Sequence, residues 1–371
     1  MNIWRRRIAA MKRMRLRGIT EVRTRYPFVD LVKAVAAQLI VLHHLAWFGP
    51  MSDVAAAGLP LAAAVQSWLV EYGRYAVAAF LTVSGFLAAQ SLNAQILTTH
   101  SPWRLIGQRY LRLVDPFAVA LACAILAAFL ARRLMVHDSI GSVPTVWQVG
   151  AHLLLLHGLL DIESLSAGVW YVAIDFQLYA LLLLLLWIPQ RTMSRPAGVD
   201  FFKLAWVVLL ACASLLYFNR DPAWDATALY FFGSYALGVL AAWALKSSKP
   251  WRGMLCVALL GGTALLIDFR PRLAVSLLTA LLLSGGQLAV RYQGHSLIST
   301  LSRQSYALFL IHFPVCLLVN ALITRLEPAA PIENALGVLL AWGLSNFAAV
   351  YFHRYETRGG LVVMGVGVSR A

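Results

Sequence analysis

Phe28–Phe48 reads FVDLVKAVAAQLIVLHHLAWF. An apolar run of this length crosses a bilayer as a helix. It nevertheless carries Asp30, Lys33, His43 and His44. Lys33 and His44 are eleven residues apart, which on an α-helix is about 1,100°, three turns plus about 20°. The two therefore share a face, separated by about 16 Å along the axis at 1.5 Å per residue. His43 points about 80° away from the Lys33 direction. Ionisable groups inside a membrane segment are costly and face a cavity or a partner. Asp30 sits three residues before Lys33, within ion-pairing reach on a helix.

The rest of the chain extends this reading. Of 371 residues, 60% are hydrophobic and only 13% charged, and the mean hydropathy is +0.72. Long, repeated apolar runs of this kind indicate an all-α polytopic membrane protein. Spans are expected near 28–48, 73–92, 113–133, 169–188, 202–219, 226–246, 251–268, 272–290, 302–324 and 334–353, about ten in all. The expected organisation is a basic N-terminal segment (1–27), a membrane domain (28–354) and a short tail (355–371). The stretch His152–Leu160, HLLLLHGLL, is too short to span and is expected as a re-entrant or interfacial helix. No cleavable signal peptide is expected, because the first apolar run is too long for one. The four cysteines lie in apolar runs without CxxC spacing and read as small packing residues; no metal site is expected.

The net charge of +15 does not indicate nucleic acid as a partner. Nine basic residues fall in the first 25, against one acid, Glu21. The remaining basic excess sits in short loops beside apolar runs, and the acids sit in the alternate loops. The positive-inside rule then puts both termini in the cytoplasm, with membrane lipids as partners.

Five segments could carry chemistry. In the first span, an intramembrane histidine is as a rule packed or hydrogen-bonded. A neutral imidazole beside a carboxylate is also a general base. Both readings of His44 stand at this point. In QRYLRLVDPF (108–117), Arg109 and Arg112 are i and i+3; they suit phosphate binding, and equally plain cytoplasmic anchoring. In WYVAIDFQLY (170–179), Asp175 lies inside a span with Tyr179 one turn on. Asp175 falls at roughly the depth of His44, where it could orient the imidazole or simply pack two helices. Trp170 and Tyr171 fit an aromatic belt. In LTVSGFL (81–87), Ser84 and Gly85 read as helix packing. In SYALFLIHFPV (305–315), His312 lies mid-span before Pro314, which should kink the helix and free a carbonyl.

These five segments, in this order, resemble the acyltransferase-3 family of integral-membrane enzymes that O-acylate bacterial surface polysaccharides and related glycans. The first matches a basic-residue–x10–His motif; the others match its SGF, Arg-x-x-Arg…Pro, Trp…Glu…Tyr and late Ser-Tyr…His segments. The resemblance spans roughly residues 25–356. It implies that His44 is the catalytic histidine, Lys33 its basic partner, and Arg109 and Arg112 contacts of the acyl donor. Lys33 stands where arginine is commoner, Asp175 where glutamate is usual, and Gln108 where an arginine doublet is common. A C-terminal esterase-like domain, which some members carry, is not expected.

The resulting expectation is a multi-pass protein of the bacterial inner membrane with no resident cofactor. It would move an acyl group, acetyl above others, from acyl-CoA to a glycan hydroxyl. His44 and Asp175 would be catalytic. Lys33, Arg109, Arg112, Asp30, Trp170, Tyr179 and His312 would bind substrate. The alternative is a transporter or flippase whose buried Lys, His and Asp form a substrate or proton path.

Overall fold

The computed structural model describes residues 26–289, 295–326 and 330–358. Most of the basic segment 1–27 and the tail past Arg358 lie outside the described residues, as do Arg291 and Glu327. Among the described residues the chain is helical, with no strand.

In chain order the helices are α1 Pro27–Trp47, α2 Pro50–Gly58, α3 Pro60–Tyr72, α4 Ala76–Ser91, α5 Ala94–Thr99, α6 Pro102–Ala131, α7 Val146–Leu153, α8 Trp170–Thr192, α9 Pro196–Leu216, α10 Ala228–Lys246, α11 Pro250–Ile267, α12 Pro271–Ala289, α13 Ser296–Arg325 and α14 Pro331–Arg358. Proline opens eight of them. Its missing N–H costs nothing at N1, where that donor has no helical partner, and its fixed φ already suits a helix. Among the described residues, eight helices are long and apolar enough to cross a membrane: α1, α6, α8, α9, α10, α11, α13 and α14. The shorter α4 and α12 occupy the positions of the two other expected spans.

Two expectations need correction. α6 begins at Pro102 and runs 30 residues, so Arg109 and Arg112 lie well inside a helix rather than at its start. Ser101 causes this early start: its side chain accepts the Arg104 N–H and caps the helix. The 152–160 stretch is not one helix. α7 ends at Leu153 and the chain then turns back through Leu155 (φ 58°) and Asp161 (φ 51°). Two non-glycine residues in the left-handed region break any helix there.

α10 and α13 are the most buried spans, whereas α9, α11 and α14 present most of their surface outward. α13 packs against α1, α6 and α14, and α10 against α4, α9 and α12. Lipid tails give apolar helices no hydrophobic reason to associate, so close backbone approach must hold them. The SGF segment does this. A Cβ on Gly85 would lie 2.0 Å from the Tyr235 carbonyl oxygen, and one on Gly238 1.9 Å from that of Thr82. Thr82 Oγ1 also donates across this seam to the Ser234 carbonyl.

Candidate functional site

His44 lies in the last turn of α1 and His312 midway along α13. His44 Nδ1 and His312 Nε2 are 2.7 Å apart, with the rings nearly parallel at 8°. His312 Nδ1 lies 3.1 Å from the Leu308 carbonyl, which can only accept. For neutral rings this sets every proton. His312 Nδ1–H donates to Leu308, its Nε2 therefore accepts from His44 Nδ1–H, and His44 Nε2 is left with a bare lone pair. No described residue bonds that nitrogen. Pro314 does lie within α13, but the carbonyl that His312 uses is that of Leu308, not the Leu310 carbonyl a proline at 314 would release.

Phe48 packs on His44 and Phe309 on His312, with Phe313 behind Phe48. The loop before α8 closes over it at Gly168. There φ is +79°, and a Cβ would lie 3.1 Å from the Phe309 ring and 3.4 Å from His44 Cε1. Cε1 lies between the two ring nitrogens, so this loop packs against the edge of the imidazole. Only glycine meets both requirements without strain.

Asp175 does not orient His44. It is ion-paired with Arg109 of α6 at 2.5 Å, while His312 fills the position beside the imidazole. The reason is the early start of α6, which brings Arg109 to the depth of Asp175. Tyr179, one turn along α8, lies under the Arg109 guanidinium at 5.2 Å. Asp175 Oδ1 and Arg109 Nε are both buried without a hydrogen-bond partner. Arg112, one turn on, is exposed, and neither ion pair nor hydrogen bond joins it to Asp175. The two arginines therefore form no single clamp.

Asp30 accepts from Ser302 Oγ at 2.6 Å and Ser299 Oγ at 3.3 Å, tying α1 to α13. Lys33 is half-buried one turn further along. His43 turns away to the Leu69 carbonyl of α3, at 2.9 Å. Trp170 stacks on Phe231, 5.5 Å between ring centres, and lines a cavity of about 610 Å³. Tyr171 Oη meets Ser84 Oγ at 3.2 Å, so the SGF serine reaches the site as well as the packing seam.

Beside that cavity, at the end of α7 and in the connection after it, lies a second imidazole pair. His152 and His157 stack at 4.1 Å between ring centres. His152 is fully engaged: Nδ1 meets the Gln148 carbonyl and Nε2 accepts the Leu165 N–H. His157 is 1% exposed, and neither of its nitrogens has a partner. Burial, and then the neighbouring His152, push its pKa down to about 4, so it is neutral at pH 7.

Gly168, Ser84, Tyr171 and His157 were not singled out by sequence reasoning as site residues. Gly168, two residues before Trp170 in GVWY, was the one with a local signal.

A family profile described as an acyltransferase domain matches residues 26–354, nearly the whole described chain. Comparison with curated proteins and with solved structures returned no match.

Proposed function

The chain belongs to this acyltransferase family, and from that premise we propose that it carries an acyl group, acetyl above others, from a coenzyme A thioester to a hydroxyl of a cell-surface or lipid-linked glycan. The supporting observation is the imidazole relay, which ends on a bare His44 Nε2. A neutral imidazole held in one tautomer is a general base. His312 takes the part that a carboxylate plays in a hydrolase triad: it fixes the tautomer and shares the charge that develops.

The reaction balances as follows. His44 Nε2 accepts the hydroxyl proton while the oxygen attacks the thioester carbonyl. The carbon–sulfur bond breaks, and the proton passes from Nε2 to the departing thiolate. The products are the O-acyl ester and coenzyme A.

The donor would approach from the end of the bundle where α6 begins, taken as cytoplasmic. Arg112, exposed on the flank of α6 nearly three turns in from that end, would contact the donor, with Lys33 on the same side. The Arg109–Asp175 pair would lie along the pantetheine arm. Its unpartnered Nε–H and Oδ1 are a donor and an acceptor of the kind that amide groups need. The chain would sit in the bacterial inner membrane with both termini in the cytoplasm.

Mass spectrometry of surface glycans tests this. A deletion strain should lose one acyl group, and wild-type protein should restore it. His44→Ala, inserted and folded, should not. Wild-type acylation by His44→Ala would overturn the reading.

A further inference from the structure

The cavity of about 610 Å³ lies where α4, α8, α10 and α12 all begin, and its wall carries Arg74, Arg272, Asp161, Asp225, Trp170 and His157. We propose that this cavity holds an acceptor sugar bearing an anionic group, a carboxylate or a phosphate, with Arg74 and Arg272 on the anion and Trp170 against the ring. The word acceptor rests on the acyltransferase reading; the ligand class rests on the cavity.

Three observations carry it. The volume falls within the roughly 300–1,000 Å³ of ligand sites. Trp170 offers an indole face of the kind that packs on the apolar side of a sugar ring, and Phe231 holds it in place. His157 is buried, yet both its nitrogens lack partners, which is expensive unless a ligand supplies them. A neutral imidazole both donates and accepts, as a sugar hydroxyl does.

The charges then select among sugars. Arg74 and Arg272 pair with no carboxylate among the described residues; each lies instead over a tyrosine ring, that of Tyr75 or Tyr230. Arg270, also on this wall, is spent on Asn219, the Leu215 carbonyl and Asp268. Asp161 and Asp225 are exposed and suited to accept from ring hydroxyls. In the proposed orientation this end of the bundle is the outer one, where the topology rule disfavours arginine. Anchoring therefore does not explain two guanidiniums here, whereas anion binding does.

The cavity is close to the chemistry along the chain. Trp170 is on its wall, and Gly168, two residues earlier, lies where an added Cβ would meet His44.

The test is ligand-observed NMR titration of the purified full-length protein in detergent. The probes are methyl glucuronoside, glucose 6-phosphate, methyl glucoside and inorganic phosphate. At least one charged sugar should bind roughly tenfold more tightly than methyl glucoside and than inorganic phosphate, the worth of one charge-assisted hydrogen bond. Which of the two binds better identifies the anion. The Arg74→Gln/Arg272→Gln double variant should erase that preference, and Trp170→Ala should weaken all three sugars. Equal binding of charged and neutral sugars by the wild type, phosphate binding as tight as that of either charged sugar, or no binding of any probe would overturn the proposal. So would an unchanged preference in the double variant. Charged-sugar binding by a protein that never turns over acetyl-CoA would uphold the cavity and sink the acyl-transfer reading instead.

Discussion

His44 and His312 stack at 4.9 Å between ring centres and share a hydrogen bond; His152 and His157 stack at 4.1 Å and share none. The first pair joins two spans that are 268 residues apart in sequence. The second joins the last turn of α7 to the turned connection that follows it. Stacking is common to both, so stacking does not make an imidazole reactive. What differs is the proton bookkeeping. In the membrane pair each bond forces the next, and one lone pair remains open at the end. In the other pair one ring is saturated and its neighbour has nothing, a state that suits waiting for a ligand better than moving a proton.

The largest expected effect is at the open end of the relay. His44→Ala should lower acyl transfer by about 10²–10⁴-fold, the range for loss of a positioned general base, with the unfolding temperature unchanged. Removing the inner ring should cost less. His312→Ala should reduce kcat by about 10–100-fold with little change in KM, because His44 keeps its lone pair but loses its fixed tautomer. His312→Gln retains a carbonyl that can accept from His44 Nδ1–H, and steady-state kinetics should show it recovering part of the loss. If alanine and glutamine were equally impaired, His312 would be a packing residue.

Gly168 tests whether the loop holds the His44 imidazole. Gly168→Ala places a methyl 3.4 Å from His44 Cε1 at a φ of +79°, a backbone strain of about 1–2 kcal/mol. Transfer should fall by about tenfold in kinetic assays, while the cavity-bound sugar is held as before.

The smallest effect separates the two pairs by pH. His157 has its pKa pushed below the ordinary value, to about 4. The unfolded chain therefore takes up its proton first, between pH 6.5 and 4, and the folded state loses stability as pH falls through that window. Thermal unfolding of His157→Gln should fall less steeply than that of wild type over the same range. Parallel curves would mean that His157 gains a partner in solution.

What could be read from the sequence followed the physics of single helices. The apolar runs give the spans, and the eleven-residue step from Lys33 to His44 gives a shared face, because periodicity is local. Tyr179, one turn beyond Asp175, was legible as a neighbour on the same helix face for the same reason. Periodicity says which way a side chain points and not which helix it meets. The partner of His44 therefore read as Asp175, when α13 delivers His312 and α6 delivers Arg109 to Asp175. The error at Arg109 began with the Ser101 cap, which starts α6 eleven residues before its apolar run. Gly168 and His157 lie in a connection whose left-handed residues, Leu155 and Asp161, include a leucine, which carries no turn signature.

The most direct measurement is label transfer. Purified full-length protein, wild type and His44→Ala, would each be given acetyl-CoA with a labelled acetyl group and the glycan fraction of the deletion strain. The account predicts that label moves to glycan with wild type and stays on coenzyme A with His44→Ala, at equal thermal stability. Label transferred by His44→Ala at the wild-type rate would contradict it.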